Sequence, residues 1–166
     1  MAQEPRKLRF TIPGTAVPKE RARTAPKMTK GGQVEMIDGH PVMRTRTPQR
    51  TRAWEQFVGL IARQARTRAR IDQPYGGQIM LGCIFYLPIP KSWSQAKKQE
   101  ARDGLIRPMA IGDPDTSNLL KSIEDGCEGV LWVNDTTIVD YGTVDDLPMG
   151  KRYSDTPRVE VEAVFF

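Results

Sequence analysis

Residues 113–135 read DPDTSNLLKSIEDGCEGVLWVND, and a helical pattern lies at the centre of this stretch. At 100° per residue, residues 118–127 separate into an apolar side and a polar side. The apolar side holds Leu119, Leu120, Ile123 and Cys127, and the polar side holds Asn118, Lys121, Ser122 and Asp125. The pattern predicts a helix that buries its apolar side and presents an amide, an ammonium and a carboxylate on the other.

Two further carboxylates flank this predicted helix. Asp115 lies just ahead of it, and Asp135 follows the turn and the apolar residues 130–133. A helix, a turn and a strand in this order can bring the two acids together. Clustered carboxylates repel one another unless a cation holds them, and oxygen ligands suit Mg²⁺ or Mn²⁺. Lys121 beside such a site can neutralise charge that develops on a phosphate.

The same residues resemble the RusA-type endodeoxyribonucleases, a family of Holliday-junction resolvases. The family's central motif runs roughly Pro-Asp-x-Asp-Asn-Leu-x-Lys, then an Asp four residues on, then a turn, Trp and Asp-Asp. Residues 114–121 match the first block, Asp125 matches the next acid, and residues 132–135 match the last block. The opening residues 10–14 and 18–23 also resemble the start of the family.

The resemblance implies a Mg²⁺-dependent endodeoxyribonuclease, with Mn²⁺ as the other candidate ion. It implies that Asp115 and Asp135 are metal ligands and that Lys121 is the catalytic lysine. It further implies four-way DNA junctions as the substrate, a role in recombination and repair, and a phage or prophage origin. Paired symmetric cuts need two sites related by a two-fold axis, so the resemblance also implies a homodimer.

Two positions depart from the family pattern and leave the third metal ligand open. Ser117 stands where the family has its second Asp, and Asn134 replaces the first acid of the Asp-Asp pair. The missing ligand can come from Asp113, which we include among the metal ligands, from Ser117 or from Glu124. The side chains of Asn118 and Asp125 are candidates for orienting the ligands.

A calcium-binding loop of twelve residues is the alternative interpretation of this stretch. Asp113, Asp115, Ser117 and Glu124 would stand at its positions one, three, five and twelve. However, position six needs a Gly for a sharp turn and is Asn118 here, and Lys121 would place a cation beside the bound ion. Taken one at a time, the acids could also be ordinary turn and helix-cap residues.

Charge is unevenly divided along the 166 residues, although the net charge is only +5. Residues 1–70 hold 16 Lys and Arg against 5 Asp and Glu, whereas residues 71–166 hold 9 against 15. A basic first half is typical of proteins that bind a polyanion, and an acidic second half fits a cation site.

Residues 14–47 show little periodicity and predict a long basic loop or arm. Its basic residues are candidates for contacts with DNA phosphates: Lys19, Arg21, Arg23, Lys27, Lys30, Arg44 and Arg46. The alternative for any one of them is a solvated side chain on a flexible loop.

Several classes of site and protein are disfavoured. His40 is the single histidine, so His-rich metal motifs are excluded, and it lies in an expected hairpin turn. Cys83 and Cys127 are far apart in apolar contexts and predict buried thiols in a reducing cytoplasm. No apolar run approaches the roughly 20 residues of a membrane helix.

The remaining patterns predict one small domain of α+β or mixed α/β class, with about four strands and three helices. The strands are expected at residues 7–12, 78–87, 136–144 and 158–166, and the helices at about 48–65, 94–102 and 118–127. Two other functions stay open: a branched-DNA-binding protein with a disabled metal site, and a flap or branched-DNA nuclease with looser structural preference.

Overall fold

The fold is built on a mixed sheet around one apolar strand. The structure is a computed structural model that describes residues 5–166. In chain order the elements are β1 (Arg6–Pro13), β2 (Arg23–Pro26), β3 (Met36–Ile37), β4 (His40–Pro41), β5 (Met43–Arg46), α1 (Gln49–Arg68), β6 (Ile79–Pro88), α2 (Gln95–Arg102), α3 (Thr116–Cys127), β7 (Ile138–Tyr141), β8 (Thr143–Val144), β9 (Leu147–Pro148), β10 (Gly150–Ser154) and β11 (Arg158–Phe165). A short 3₁₀ helix, Asp135–Thr137, precedes β7.

The main sheet has five strands, and β6 is its most buried one. Strand β11 pairs antiparallel with both β6 and β1, so β1 forms one edge of the sheet. The other side of β6 is shared, because β7 pairs parallel with its first residues and β10 pairs parallel with its last. The near-continuous apolar sequence of β6 follows from this position between neighbours, where both of its faces are covered.

Helices α1 and α3 pack against each other, and their buried side chains share one hydrophobic core with the sheet. Gly126 of α3 lies against Val58 of α1, and a Cβ added at Gly126 would come within 2.7 Å of the Val58 side chain. The buried side chains of the two helices include Trp54, Val58, Ala62, Leu119, Ile123 and Cys127. Because α3 is held in this way, its opposite side faces the segments that follow it.

The predicted fold class is confirmed, and so are the three helices and the strands at both ends of the chain. The sequence Thr47-Pro48 predicts a helix start with Thr47 as the N-cap. That prediction is wrong, because Pro48 occupies the N-cap of α1 and no side chain caps the helix. Ser94 does cap α2, where its side chain accepts a hydrogen bond from the Lys97 N–H. The predicted strand at 136–144 starts later, after the 3₁₀ turn, and breaks at Gly142.

Two segments predicted as loops contain strands. Within residues 14–47, β2 pairs with β5 and β3 pairs with β4, while Ala16 and Val17 are buried in the core. The polar residues 145–156, between the strands predicted at 136–144 and 158–166, also predict a hairpin loop, but they contribute β10 to the main sheet. Its polar sequence, GKRYS, hid this strand, because it gains its place from pairing with β6 and not from an apolar pattern of its own.

Candidate active site

The start of α3 fixes the first two acids of the motif. Asp115 is the N-cap, and its carboxylate accepts a hydrogen bond from the Ser117 N–H. Asp113 accepts a hydrogen bond from the Ala110 N–H at 2.8 Å. Lys151 donates to the Pro114 carbonyl at 3.0 Å and ties this entry to β10. Asp113 and Asp115 therefore act locally as turn and cap residues at the N-terminal end of the helix.

The turn after α3 fixes Asp135. Trp132 is fully buried and its carbonyl accepts a hydrogen bond from the Gly129 N–H at 2.7 Å. Gly129 has φ +70°, a conformation that favours glycine. The Asn134 side chain then caps the 3₁₀ helix by accepting from the Thr136 N–H at 2.9 Å. Asn134 therefore acts as a capping residue in this protein. The turn brings the Asp135 side chain back toward α3, where it contacts Lys121.

Three carboxylates meet beside the C-terminal half of α3. Asp125, Glu128 and Asp135 each offer an oxygen, and these atoms lie within 4.8 Å of one another. The cluster brings together two acids of the motif, Asp125 and Asp135, with Glu128, which sequence analysis missed. Glu128 is the C-cap of α3 and has an extended backbone conformation, so its place in the cluster depends on the turn that follows the helix.

Lys121 lies among these carboxylates. Its Nζ is 2.6 Å from Asp135 Oδ2, 3.3 Å from Asp125 Oδ1 and 3.6 Å from Glu124 Oε2. The hydrogen bond with Asp135 is the largest cause that raises the pKa of Lys121 well above its usual range. The same hydrogen bond lowers the pKa of Asp135. At neutral pH the Lys121 ammonium and the Asp135 carboxylate are therefore both charged.

Glu124 is a buried carboxylate behind Lys121. It is 7% exposed, and its Oε1 accepts a hydrogen bond from the Tyr141 hydroxyl at 2.6 Å. Burial, with the adjacent Glu124 carboxylate, raises the pKa of Tyr141 to about 12, so the hydroxyl keeps its proton. Ser122, which the helical pattern placed on the polar side, is fully buried and accepts a hydrogen bond from Trp54 Nε1.

Lys19, from the basic arm, also contacts the site, through Asp125 Oδ2, whereas Lys121 contacts Asp125 Oδ1. Its Nζ lies 2.6 Å from Glu55 Oε1 on α1 and 2.7 Å from Asp125 Oδ2 on α3. Its backbone N–H donates to the Asn118 carbonyl at 2.8 Å. The basic character of the arm predicts a DNA contact for Lys19, whereas the structure places its ammonium between two carboxylates. Asp125 consequently lies between two ammonium groups.

The other basic residues of the arm line two clefts. The larger cleft is lined mainly by the β2 and β5 strands and the start of α1, and its basic residues are Arg23, Lys27, Arg44, Arg46, Arg50 and Arg52. The smaller cleft contains Lys19, Arg21 and Arg23 together with Asp115 and Asn118. Arg23 lines both clefts, so the basic arm leads to the N-terminal end of α3. Lys30 lies exposed in the turn between β2 and β3.

The donor set fits a hard divalent cation. Carboxylate oxygens alone make up the cluster of Asp125, Glu128 and Asp135, and oxygen ligands of this kind suit Mg²⁺ or Mn²⁺. Within residues 5–166, Asp113, Asp115 and Ser117 do not belong to this group. Asp135 would be a ligand in either set, whether its partners are those of the cluster or the acids at the start of α3.

The calcium-loop interpretation is wrong. Residues 116–124 of the supposed loop are helical, since α3 runs Thr116–Cys127. A calcium loop must wrap its ligands around the ion, whereas the helix spreads positions 116 to 124 along its axis. His40 lies exposed in the β3–β4 hairpin and is not a member of the carboxylate cluster.

Comparison with known proteins agrees with the motif. The family described as "Endodeoxyribonuclease RusA" matches residues 13–163, most of the chain. A protein of Bacillus subtilis (strain 168), named "Uncharacterized protein YqaN", is 31% identical over 156 residues, which cover 93% of this chain and 93% of that protein. The chain therefore belongs to the RusA endodeoxyribonuclease family.

Proposed function

We propose that this protein is a Mg²⁺-dependent endodeoxyribonuclease that resolves four-way DNA junctions by paired strand nicks. Membership of the RusA family implies endodeoxyribonuclease activity and supports Holliday junctions as its substrate. The observation that carries the proposal is the contact of 2.6 Å between Lys121 Nζ and Asp135 Oδ2 beside a cluster of three carboxylates. This pairing of a protonated lysine with oxygen ligands suits the cleavage of a phosphodiester.

Each polar residue of the site has a separate role in this mechanism. When bound, the divalent ion supplies an activated water and stabilises charge on the phosphate. Lys121 remains protonated at ordinary pH, so it stabilises the additional negative charge that develops on the phosphodiester. Asp135 would help to hold the ion, and its hydrogen bond keeps the Lys121 ammonium in place.

Two ligand sets are consistent with this mechanism, and they share Asp135. The resemblance supports Asp115 and Asp135, with Asp113 as the third ligand, and Asp115 as a catalytic residue. The carboxylate cluster supports Asp125, Glu128 and Asp135 instead. Metal titration of Asp115→Asn and Glu128→Gln variants separates the two sets, since only the variant that removes a ligand should weaken metal binding strongly.

The basic arm is the proposed DNA grip. Arg23, Lys27, Arg44 and Arg46 line one cleft, and Arg21 lines the adjoining cleft near Asp115. Arginine and lysine contacts to phosphates release condensed counterions, so binding should weaken steeply with salt. Two sites are needed for paired nicks, which supports a homodimer. We place the activity in the cytoplasm of a bacterium or of a phage-infected host.

The decisive experiment measures cleavage of a synthetic four-way junction beside linear duplex and flap DNA, with Mg²⁺, Mn²⁺ or EDTA. We expect metal-dependent paired nicks confined to the junction, and no cleavage by Asp135→Asn despite unchanged junction binding. Equal cleavage of flap DNA would favour a less selective branched-DNA nuclease. Binding without cleavage in either metal would favour a non-catalytic binding protein, in which Ser117 has disabled the site.

A further inference from the structure

One exposed stripe of α1 borders the candidate active site and has no role in the mechanism above. Arg52, Gln56, Leu60 and Arg63 follow one another at intervals of four, four and three residues. These intervals place all four side chains on one face of the helix. All four are exposed, and Leu60 is 53% exposed, which is high for a large apolar side chain.

The stripe forms one wall of a cavity of about 560 Å³. The opposite wall is made by Asp125, Gly126 and Val130, from the end of α3 and the turn after it. Asp125 also belongs to the carboxylate cluster, so the cavity opens directly beside the proposed metal site. We call this cavity, lined by the α1 stripe and residues 125–130, the α1 groove.

Two arginines and two acids line the α1 groove, but only the acids have ion-pair partners among the described residues. Its two acids, Glu55 and Asp125, are both bound to Lys19, at 2.6 Å and 2.7 Å from its Nζ. Among residues 5–166, by contrast, Arg52 and Arg63 form no ion pair with any carboxylate. The two guanidinium groups are therefore available to an anionic ligand.

We propose that the α1 groove binds the nucleotides next to the cleaved phosphate, as a subsite for one DNA strand. Arg52 and Arg63 contact phosphates on that strand, Gln56 donates to or accepts from a base edge, and Leu60 packs against a base. The inference rests on the proposed nuclease function. Eleven residues of helix separate the two arginines by about 16 Å, a span of about five stacked nucleotides.

Continuity with the arm favours DNA over a protein partner. Arg52 also lines the larger basic cleft of the arm, so the groove and the cleft form one basic surface. A surface between two copies of the chain would need an apolar centre, and the stripe offers only Leu60 between charged and polar side chains. A phosphate backbone with exposed bases matches the order of charged, amide, apolar and charged side chains.

The first test measures DNA binding in EDTA, so that it does not depend on cleavage. The variant is the double substitution Arg52→Gln and Arg63→Gln in the full-length chain, and the control is Arg68→Gln. Arg68 is exposed on the same helix, about 160° around the axis from Arg52. We expect the double variant to bind a labelled four-way junction about tenfold more weakly, with the slope of log K against log salt reduced by about 1.4 to 1.8.

Affinity and salt slope equal to those of Arg68→Gln would overturn the inference, as would a double variant whose only change is dissociation of a dimer in sedimentation analysis. Circular dichroism checks that the variants fold. Should the double variant unfold, Arg52→Lys with Arg63→Lys replaces it, and the inference then requires that this charge-conserving pair retain the wild-type salt slope.

The second test examines the contact with bases. Gln56→Ala and Leu60→Ala should change which nucleotide sequence is cut in a set of junctions, while leaving the salt slope unchanged. An unchanged cleavage pattern in both variants would contradict base contacts in the groove. A wild-type protein that binds junctions without cutting them would refute the proposed function alone, because the binding test still decides the groove.

Discussion

At the scale of single residues, Lys121 combines the features that make the site recognisable. It contacts Asp135 and Asp125 directly and lies 3.6 Å from a third carboxylate, the buried Glu124. Burying a carboxylate is costly unless a partner stabilises its charge. Glu124 has two such partners, the Tyr141 hydroxyl and the Lys121 ammonium, so we interpret Glu124 and Tyr141 as positioning residues for the lysine.

Removing these positioning residues should slow cleavage without weakening DNA binding. Glu124→Gln keeps the shape of the side chain and loses its charge, so we expect kcat to fall about 10- to 100-fold with KM nearly unchanged. Tyr141→Phe removes one hydrogen bond and should cost about tenfold or less. Single-turnover cleavage measures the rate of the cleavage step, and junction titration in EDTA measures DNA binding. Asp140→Asn, next to Tyr141 on β7, is the matched control, and a KM effect without a kcat effect would contradict positioning.

The ion pair between Lys121 and Asp135 should also govern how stability depends on pH. The pKa of Asp135 is lowered in the folded protein, so its contribution is present above about pH 4 and is lost as the pH falls through the lowered pKa. The pKa of Lys121 is raised, so its contribution is present below its usual pKa and is lost only as the pH rises through the raised value.

Lys121→Met should therefore be less stable than the wild type at pH 7, and the difference should shrink at acid pH, once the pH has fallen through the lowered pKa of Asp135. Mg²⁺ should restore part of the lost stability at pH 7, because it replaces the missing positive charge among the carboxylates. Urea unfolding at both pH values, with and without Mg²⁺, measures this. Lys91→Met, an exposed lysine outside the site, is the control, and an equal loss of stability at both pH values would refute the ion-pair explanation.

At the scale of elements, the site depends on how closely α1 and α3 approach. A Cβ at Gly126 would come within 2.7 Å of the Val58 side chain and 3.0 Å of the Glu55 carbonyl. The glycine therefore sets the helix separation that lets Lys19 join Glu55 to Asp125.

Gly126→Ala should destabilise the protein by about 1–3 kcal/mol, although alanine is intrinsically the better helix residue. The cause is steric, since the helices must separate to admit the methyl group. Denaturant unfolding measures the loss. Gly112→Ala is the control, because an added Cβ there has no atom within 4 Å and no positive φ. A more stable Gly126→Ala variant would show that the helices adjust freely.

The elements that sequence analysis predicted well are those with their own periodic signal. The apolar side of α3 and the alternation in β11 follow directly from burial of one side. Strands β2 and β5 could not be predicted in this way, because all their residues are exposed and their pairing comes from the chain fold. Glu128 was missed for a related reason: its closeness to Asp135 depends on the turn at Gly129, which folds the chain back.

At the scale of the whole molecule, the basic and acidic halves of the sequence meet at one site. The arm and α1 supply the basic residues of the larger cleft, whereas α3 and the residues after it supply both the carboxylate cluster and Lys121. The uneven charge predicted this division, but the sequence could not reveal that Lys19 would bind Asp125 instead of facing solvent.

Neutralising the arm should weaken DNA binding more than neutralising charges elsewhere. Arg44→Gln with Arg46→Gln removes two charges from the β5 side of the basic cleft. We expect a lower junction affinity and a salt slope reduced by roughly two, measured by fluorescence anisotropy. Lys91→Gln with Lys98→Gln removes the same charge from the region around α2 and serves as control. Equal losses in both variants would mean that net charge alone, and not the arm, drives binding.

The position of β1 at the edge of the sheet bears on how the protein behaves at high concentration. An edge strand offers unpaired backbone groups to any other strand, which invites chains to join edge to edge. The outward side chains of β1 include Lys7 and Arg9, and Pro13 ends the strand without an N–H to donate. Lys7 and Arg9 form ion pairs with Glu162, Asp145 and Glu160, so charged groups of both signs border this edge. This composition of β1 therefore favours colloidal solubility over fibre-like assembly.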